Sequence, residues 1–192
     1  MKLGDYANIR TGLVLSRKIA SSKVQAHQYI ALTLKAQTAD GTIDHNSTEK
    51  YFATELLKQD YFTRVGDVLL RLSAPYTATC ITDENKNLLV SAHFTIIRVE
   101  GDEIDPAYLK WWLTQNRKRF YQAASGVAIM GTISSGYVAE MKFSPPPIQQ
   151  QRQAGQLLLL AQREQQLLDK LTDKKKILIN ALLVTKFEED KI

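Results

Sequence analysis

The stretch IQQQRQAGQLLLLAQREQQLLDKLTDKKKILINALLVTKF, residues 148–187, directly follows three prolines at positions 145–147. Prolines end the preceding structure, because they lack an amide hydrogen and restrict the backbone of the residue before them. The stretch itself contains no proline and one glycine, and it is dominated by Gln, Leu, Lys, Glu and Ala, which are strong helix formers. We therefore predict one long helix, which at 1.5 Å per residue would extend for about 60 Å.

Apolar residues recur three or four positions apart along this helix, with Glu164 and Lys174 or Lys175 at seam positions between the leucines. The spacing is heptad-like and predicts packing against another helix. A domain of this size cannot bury so long a rod alone, so the partner helix comes from the same chain or from a second copy. The alternative is an ordinary amphipathic helix folded back on its own domain. The predicted dimerisation residues are Leu157, Leu160, Leu167, Leu168, Leu171, Leu178 and Leu182.

The bulk composition predicts one globular domain with an appendage. The chain has 192 residues, of which 44% are hydrophobic and 23% charged, an ordinary composition for a water-soluble fold. Its single cysteine, Cys80, excludes an internal disulfide bond. The opening residues 1–10 turn polar at once and no apolar run could span a bilayer, so we expect a cytoplasmic protein without a membrane segment. We place the domain at residues 1–144 and the helix at residues 145–192.

The charge distribution permits binding to nucleic acid without demanding it. The net charge is +5. From residue 145 onward there are eight Lys or Arg and six Asp or Glu, so the helix is not a polybasic arm. Any positively charged surface that binds nucleic acid must therefore be a local patch on residues 1–144.

The first three quarters of the chain read as a β-rich domain with a few helices. We predict strands at residues 28–35 and 68–72 and a single long strand at residues 88–99, because these runs are apolar and rich in β-branched residues. Residues 83–87 are predicted to form a hairpin turn, and the polar residues 46–60 to contain a short helix. The fold class is therefore α+β, a mixed β-rich domain followed by one long coiled-coil-forming helix.

A second helix is predicted at residues 106–125. Asp105 is suited to cap its N-terminus, and Pro106 fits the first helical position. Its aromatic residues are expected to pack in the core. The cations Arg117, Lys118 and Arg119 would lie near its end, where positive charge suits the helix dipole.

No constellation of residues in the sequence predicts catalysis. The three histidines are isolated, and no cluster has zinc-ligand spacing. The order of Asp67, Glu84 and Lys86 is that of metal-dependent nucleases, but the last two fall in a predicted turn rather than on a strand. The glycine loop before Thr132 lacks the lysine of a phosphate-binding loop. We therefore expect a binding protein, not an enzyme, without cofactor or metal.

Three loops at the ends of predicted elements, residues 10–18, 71–77 and 125–132, carry small, polar or glycine-rich sequence that suits contact with DNA. Ordinary solvated loops are the alternative. Arg17 and Arg71 are the candidates for contact with bases. The predicted DNA-binding residues are Arg10, Thr11, Arg17, Lys18, Arg71, Ser73, Tyr76, Thr77, Ser125, Gly126, Met130, Gly131 and Thr132.

The order of several short motifs over nearly the whole chain resembles one repeat of the DNA specificity (S) subunit of type I restriction–modification enzymes. Each motif alone is weak. The motifs are Leu3-Gly4-Asp5 with a glycine loop at Gly12; Gly66-Asp67-Val68-Leu69-Leu70; Asp105-Pro106-x-Tyr108-Leu109; Ser125-Gly126; and the junction Ile133-Ser134-x3-Val138-x2-Met141-x-Phe143-x-Pro145-Pro146-Pro147-x2-Gln150-Gln151.

The resemblance implies a target-recognition domain that reads one half of a split DNA site. Such subunits look like two such domains, each followed by a long helix, with the two helices antiparallel and docking methyltransferase subunits. This sequence has one domain and one helix, so the resemblance implies a half-size, non-catalytic S subunit that forms a homodimer and reads an inverted repeat in double-stranded DNA. A restriction or translocase subunit is a further implied partner. Pairing with a different half-subunit, and a coiled-coil adaptor that never binds DNA, are the alternatives.

Overall fold

The computed structural model describes residues 1–20, 26–125 and 131–189. The chain divides into two compact units, Met1–Gly155 and Gln156–Ile192. The predicted α+β class is confirmed, with two sheets, three shorter helices and one long helix among the described residues. No described helix is both long enough and apolar enough to cross a membrane.

A four-stranded antiparallel sheet forms the centre of the first unit. Its strands are β1 (Ala7–Thr11), β4 (Val68–Arg71), β5 (Ala78–Cys80) and β7 (Phe94–Val99), in the order β1-β7-β4-β5. The two central strands are buried on both faces. Val68, Leu70 and Ile97 pack with the helices on one side, whereas Leu69 and Ile96 pack on the other. Burial on both faces explains why β4 reads as a continuous apolar run.

A three-stranded sheet lies beside the other face. In it β2 (His27–Leu32) pairs antiparallel with β3 (Glu49–Ala53) and parallel with β6 (Leu89–Val90). The side chains of Leu32 and Val90 join Leu69 and Ile96 in one apolar cluster. The second sheet therefore covers the face of the first sheet that the helices leave open.

The predicted single strand at residues 88–99 is wrong. The run splits at residues 91–93 into β6 and β7, which belong to different sheets. Apolar residues stand on both sides of the break because β6 and β7 are both buried. The hydrophobic pattern therefore does not reveal that the chain passes from one sheet to the other. The predicted hairpin turn at residues 83–87 is also wrong. This segment contains a 3-10 turn at Asp83–Asn85 and joins β5 of one sheet to β6 of the other, so the strands on its two sides do not pair with each other.

The predicted short helix within residues 46–60 is also wrong. These residues form β3, flanked by 3-10 turns at His45–Ser47 and Gln59–Tyr61. In β3 the side chains of Tyr51 and Ala53 are buried, whereas Glu49 and Lys50 are exposed. Main-chain pairing with β2 and burial of Tyr51 outweigh the weak helical preference of this polar segment.

Helix α1 (Pro106–Gln115) begins as predicted. Its cap is Asp105, whose carboxylate accepts a hydrogen bond from the Tyr108 amide at 2.9 Å. The prediction of one helix over residues 106–125 is wrong, because α1 ends at Gln115 with Asn116 as its C-cap, and a separate helix, α2 (Arg117–Ser125), follows. The three cations at positions 117–119 therefore start a helix instead of ending one.

Two further helices follow. Helix α3 (Ser135–Glu140) is capped by Ser134, whose hydroxyl accepts a hydrogen bond from the Tyr137 amide at 3.1 Å. Helix α4 (Ile148–Glu189) confirms the predicted long helix. From Gln156 onward its apolar side chains are largely exposed, and those exposed are Leu157, Leu159, Leu160, Leu167, Leu168, Leu171, Ile177, Leu178, Ile179, Leu182, Leu183, Val184 and Phe187.

The first turns of α4 are anchored to the body of the first unit. The buried Gln151 amide donates hydrogen bonds to the carbonyls of Pro146 (2.7 Å) and Glu103 (3.0 Å), and its oxygen accepts one from the Asp105 amide (3.1 Å). One turn later Gly155 passes so close to α1 that an added Cβ would lie 2.5 Å from the Asp105 carboxylate and 3.2 Å from the Ala107 Cβ.

We predict that Gly155→Ala destabilises the protein although alanine favours helix. The added methyl group would displace Asp105, which caps α1, so the free energy of unfolding should fall by about 1–3 kcal/mol. Urea unfolding measures the change. The control is Gly136→Ala in α3, where the nearest atom to the added Cβ is the Ser134 hydroxyl at 3.7 Å. Gly155→Ala as stable as the wild-type protein would contradict the close contact.

Candidate nucleic-acid interface

Four chain segments meet at one end of the four-stranded sheet, which we name the loop end. Strands β1 and β4 finish there and β5 and β7 begin there, because Thr11 pairs with Thr95, Arg71 with Phe94 and Leu70 with Ala78. The segments are residues 11–13, 71–77, 91–93 and 131–135.

Segment 11–13 crosses over segment 91–93. The Gly12 amide donates a hydrogen bond to the Phe94 carbonyl (3.0 Å), and the Leu13 amide donates one to the Val90 carbonyl (2.8 Å). In the opposite direction, the Ala92 amide donates a hydrogen bond to the Leu13 carbonyl (2.8 Å). A Cβ on Gly12 would lie 2.3 Å from the Ser91 carbonyl oxygen. Only glycine permits so close an approach of two backbones.

Segments 71–77 and 131–135 are joined side by side. The backbones of Ser73 and Thr132 form an antiparallel bridge, and the Ile133 amide donates to the Leu72 carbonyl at 2.9 Å. The Tyr76 hydroxyl donates to the Gly131 carbonyl at 2.5 Å. These bonds fix the two loops to each other.

A hydrogen bond at 2.7 Å between the hydroxyls of Thr11 and Ser135 links the first segment to the last. The structure therefore brings parts of all three predicted DNA-binding loops together. Ser125 is exposed at the end of α2 and lines a surface cavity of about 550 Å³ with Ser73 and Gly131. The predicted contacts Gly126 and Met130 lie outside the described residues.

Two of the predicted contact residues are buried. Tyr76 is 1% exposed, and its ring packs edge-on against Tyr121 with ring centroids 4.8 Å apart. Thr77 is also buried, and its carbonyl accepts a hydrogen bond from the buried Gln37 amide at 3.0 Å. These two residues help to hold the loop, and the exposed surface comes from their neighbours.

The cations of the first predicted loop lie outside the four segments of the loop end. The Arg10 guanidinium pairs with the Asp60 carboxylate at 2.6 Å, which lowers the pKa of Asp60. Lys18 pairs with Glu55 beyond the end of β3, and this pairing raises the pKa of Lys18. Arg17 is exposed in the 3-10 turn Leu15–Arg17.

The four segments of the loop end contain no Asp or Glu. Its exposed or half-buried polar groups are mainly hydroxyls, with Arg71 and His93 as basic groups. The opposite end of the same sheet is rich in acids. These precede β1 or β4, or follow β5 or β7, and they are Asp5, Asp67, Asp83, Glu84, Glu100, Asp102, Glu103 and Asp105.

Sequence reasoning missed segment 91–93 because it assigned these residues to the interior of a strand. Ser91 is buried, and its hydroxyl has no hydrogen-bond partner among the described residues. It lines a cavity of about 300 Å³ together with His93, Lys35, Lys50 and Glu49. The polar triplet Ser-Ala-His inside an apolar run was the available signal for a turn.

The acid at the start of β4 is used structurally. Asp67 is buried and accepts hydrogen bonds from Arg98 at 2.7 and 2.8 Å and from the Arg64 amide at 2.8 Å. A third Arg98 hydrogen bond, to the Phe62 carbonyl at 3.1 Å, connects this pair to the segment before β4. Hydrogen bonding to Asp67 raises the pKa of Arg98. Among the described residues no group of three or more His, Cys, Asp or Glu could hold a metal ion.

We predict that Gly12→Ala disrupts the loop end. Its Cβ would meet rigid backbone, so the free energy of unfolding should fall by about 3–5 kcal/mol. The matched control is Gly131→Ala, where φ is +61° but no described atom lies within 4 Å of the added Cβ. Backbone strain alone should cost that variant about 1–2 kcal/mol. Urea unfolding measures the free energy of unfolding of both variants. Equal losses of stability would contradict the close approach of the backbone at Gly12 to that at Ser91.

Among known proteins, the matches to this chain that we found are all solved structures. No protein-family model and no curated protein matches the sequence. The HsdS subunit from Thermoanaerobacter tengcongensis matches at a TM-score of 0.64 with 16% identity, over 87% of this chain and 43% of that chain. A chain from a study of complex assembly and conformational transition of the type I R-M system matches at 0.61 with 16% identity, over the same shares.

A third match is the S subunit of a type I restriction–modification system from M. genitalium, at a TM-score of 0.54 with 14% identity, over 85% of this chain and 38% of that chain. This chain thus spans about two fifths of the length of these neighbours. At such low identity the likeness concerns the fold. The chain therefore has the fold of one portion of a type I restriction–modification specificity subunit, as the order of its motifs predicted.

Proposed function

We propose that this chain is a non-catalytic DNA-recognition subunit of a type I restriction–modification complex, and that its loop end reads one half of a bipartite site. The observation that carries the proposal is the convergence of parts of the predicted DNA-binding loops at the loop end, whose four segments contain no Asp or Glu, on a fold shared with specificity subunits. A polyanion favours such a surface over the acid-rich opposite end.

The groups at the loop end suit two kinds of contact. Backbone amides and the hydroxyls of Thr11 and Ser73 can donate hydrogen bonds to phosphate oxygens and thereby fix the register on the duplex. Arg71 is half-buried and its Nε donates to the Ser73 hydroxyl at 3.2 Å, which orients the guanidinium. An oriented arginine suits bidentate contact with guanine in the major groove.

The exposed helix supplies the second part of the proposal. Two copies would pair through the leucine seam of α4, so that two identical recognition domains read an inverted repeat. Ile177, Val184 and Phe187 form a second exposed apolar stripe at spacings of seven and three, outside that seam. This stripe is the candidate docking face for a methyltransferase subunit, because an exposed apolar patch that dimerisation does not cover is typical of a protein-binding surface.

We predict that Arg71→Ala weakens binding to the specific site by about 1–3 kcal/mol, because it removes a base contact. Lys86→Ala is the matched control, since it removes one positive charge at the opposite end of the sheet, where Lys86 pairs with Asp83 at 2.8 Å. Fluorescence anisotropy with the specific duplex and a scrambled duplex measures both variants. Equal affinities for Arg71→Ala and wild-type protein would remove Arg71 from the interface.

The function itself is tested by co-expression with a methyltransferase subunit, followed by mapping of methylated adenines in host DNA. We expect methylation at one gapped inverted repeat. Methylation at an asymmetric gapped site would show that a different half-subunit is recruited in place of a second copy. Co-purification of the two proteins without new methylation, and without salt-dependent DNA affinity, would favour a coiled-coil adaptor and contradict the proposal.

A further inference from the structure

The cavity of about 300 Å³ beside segment 91–93 has apolar walls and a charged mouth. Its walls come from β2 and the residues after it, from β3 and from the segment after β1, and they are Leu15, Ala31, Leu32, Leu34 and Tyr51. Exposed side chains form its mouth, and these are Lys35, Glu49, Lys50 and His93. A concave, mainly apolar surface with a few polar groups is typical of a small-molecule site.

One buried hydroxyl in this cavity lacks a hydrogen-bond partner. Ser91 is 4% exposed, and its Oγ meets no donor or acceptor in the described part of the chain. The other two hydroxyls of the lining are already used, because Thr33 donates to the Ser47 carbonyl at 2.8 Å and Tyr51 donates to the Leu15 carbonyl at 2.7 Å. A buried polar group without a partner is costly. A ligand with a hydrogen-bonding end would supply the missing partner.

The backbone that carries Ser91 is held in place by the protein itself. The hydrogen bonds between segment 11–13 and residues 90, 92 and 94 fix both sides of the turn. The Phe94 amide also donates to the Ser91 carbonyl at 3.0 Å and closes the turn. The position of the Ser91 side chain is therefore set before a ligand binds, which lowers the entropic cost of binding.

The charged side chains at the mouth are available to a ligand. Lys35, Glu49 and Lys50 form no ion pair with any other residue that the structure describes. Glu49 lies on the same face of β3 as Tyr51, because alternate residues of a strand share a face. Lys50 lies on the opposite face, so Lys35 is the cation that we assign to the site together with Glu49.

We propose that this cavity binds a free aromatic amino acid of the tyrosine type, a zwitterion with an apolar body and a polar tip. The Glu49 carboxylate pairs with the ammonium group of the ligand, and Lys35 pairs with its carboxylate. The ring packs among the apolar walls, and the ring hydroxyl reaches Ser91. The proposal goes beyond the recognition of DNA and does not depend on it.

Other classes of ligand would satisfy fewer of these groups. An anion without an amine would be repelled by Glu49 and would leave that carboxylate unpaired. A purely apolar compound would leave the Ser91 hydroxyl without a partner. A nucleotide would bury the polar edges of its base against leucine side chains that cannot form hydrogen bonds.

Isothermal titration calorimetry of the full-length protein with L-tyrosine tests the site, and we expect saturable binding of one molecule per chain. Three further compounds each lack one group: L-phenylalanine lacks the ring hydroxyl, tyramine lacks the carboxylate, and desaminotyrosine lacks the ammonium group. Each should bind about 3- to 10-fold more weakly than L-tyrosine, because it loses one polar contact. No binding of L-tyrosine, or equal binding of all four compounds, would overturn the proposal.

Ser91→Ala locates the ligand in this cavity. The variant should bind L-tyrosine and L-phenylalanine with equal affinity, because the hydroxyl that distinguishes them is gone. Its urea midpoint should equal or exceed that of the wild-type protein, since the deleted hydroxyl has no partner. A folded Ser91→Ala variant that still prefers L-tyrosine would contradict the assignment.

Glu49→Gln is a second variant at an exposed position, where the substitution leaves the core intact. It should weaken binding of L-tyrosine about 3- to 10-fold without weakening binding of desaminotyrosine, because only L-tyrosine has the ammonium group. The matched control is Glu84→Gln, which removes the same charge from an exposed residue of the turn Asp83–Asn85 and should change neither affinity. Equal losses for both compounds in Glu49→Gln, or the same loss in Glu84→Gln, would overturn the proposed role of Glu49. None of these measurements involves DNA, so their failure would leave the proposed function standing.

Discussion

The close crossing of two backbones at Gly12 is the constraint on which the loop end depends. A single apolar run supplies β6 to one sheet and β7 to the other. The residues after β1 form hydrogen bonds with both sides of the turn that connects β6 to β7. The two sheets therefore share one corner. Because β1 ends at that corner, the loop that follows it is held beside the start of β7. The candidate interface is thus a consequence of how the sheets are joined.

The long helix and the start of α1 could be predicted because local chemistry determines them. Three prolines and a run of helix formers define where α4 begins, and Asp105 followed by Pro106 defines α1. The strand break at residues 91–93 could not be predicted, because apolar residues on both sides of it are buried in different cores and the pattern stays continuous. Strand β3 was missed because its stability comes from pairing with β2, a contact that its own residues do not encode.

The candidate site was predicted in part for similar reasons. Hydroxyls and glycines at strand ends were recognisable, so three loops could be named before their convergence was visible. Burial of Tyr76 and the ion pair of Arg10 with Asp60 depend on distant segments and had no local signal. The uneven distribution of acidic residues could not be predicted either. Acids flank the strands at one end of the sheet and are absent from the segments at the other end, and a net charge of +5 does not reveal this difference. Topology, rather than composition, produces this asymmetry.

The anchoring of the first turns of α4 has a consequence for Asp105. Its carboxylate accepts the hydrogen bond that caps α1, and its amide donates to the side chain of Gln151. The same carboxylate limits the space beside Gly155. One residue therefore holds the start of one helix and the first turns of another, and a substitution of Asp105 would loosen both helices together.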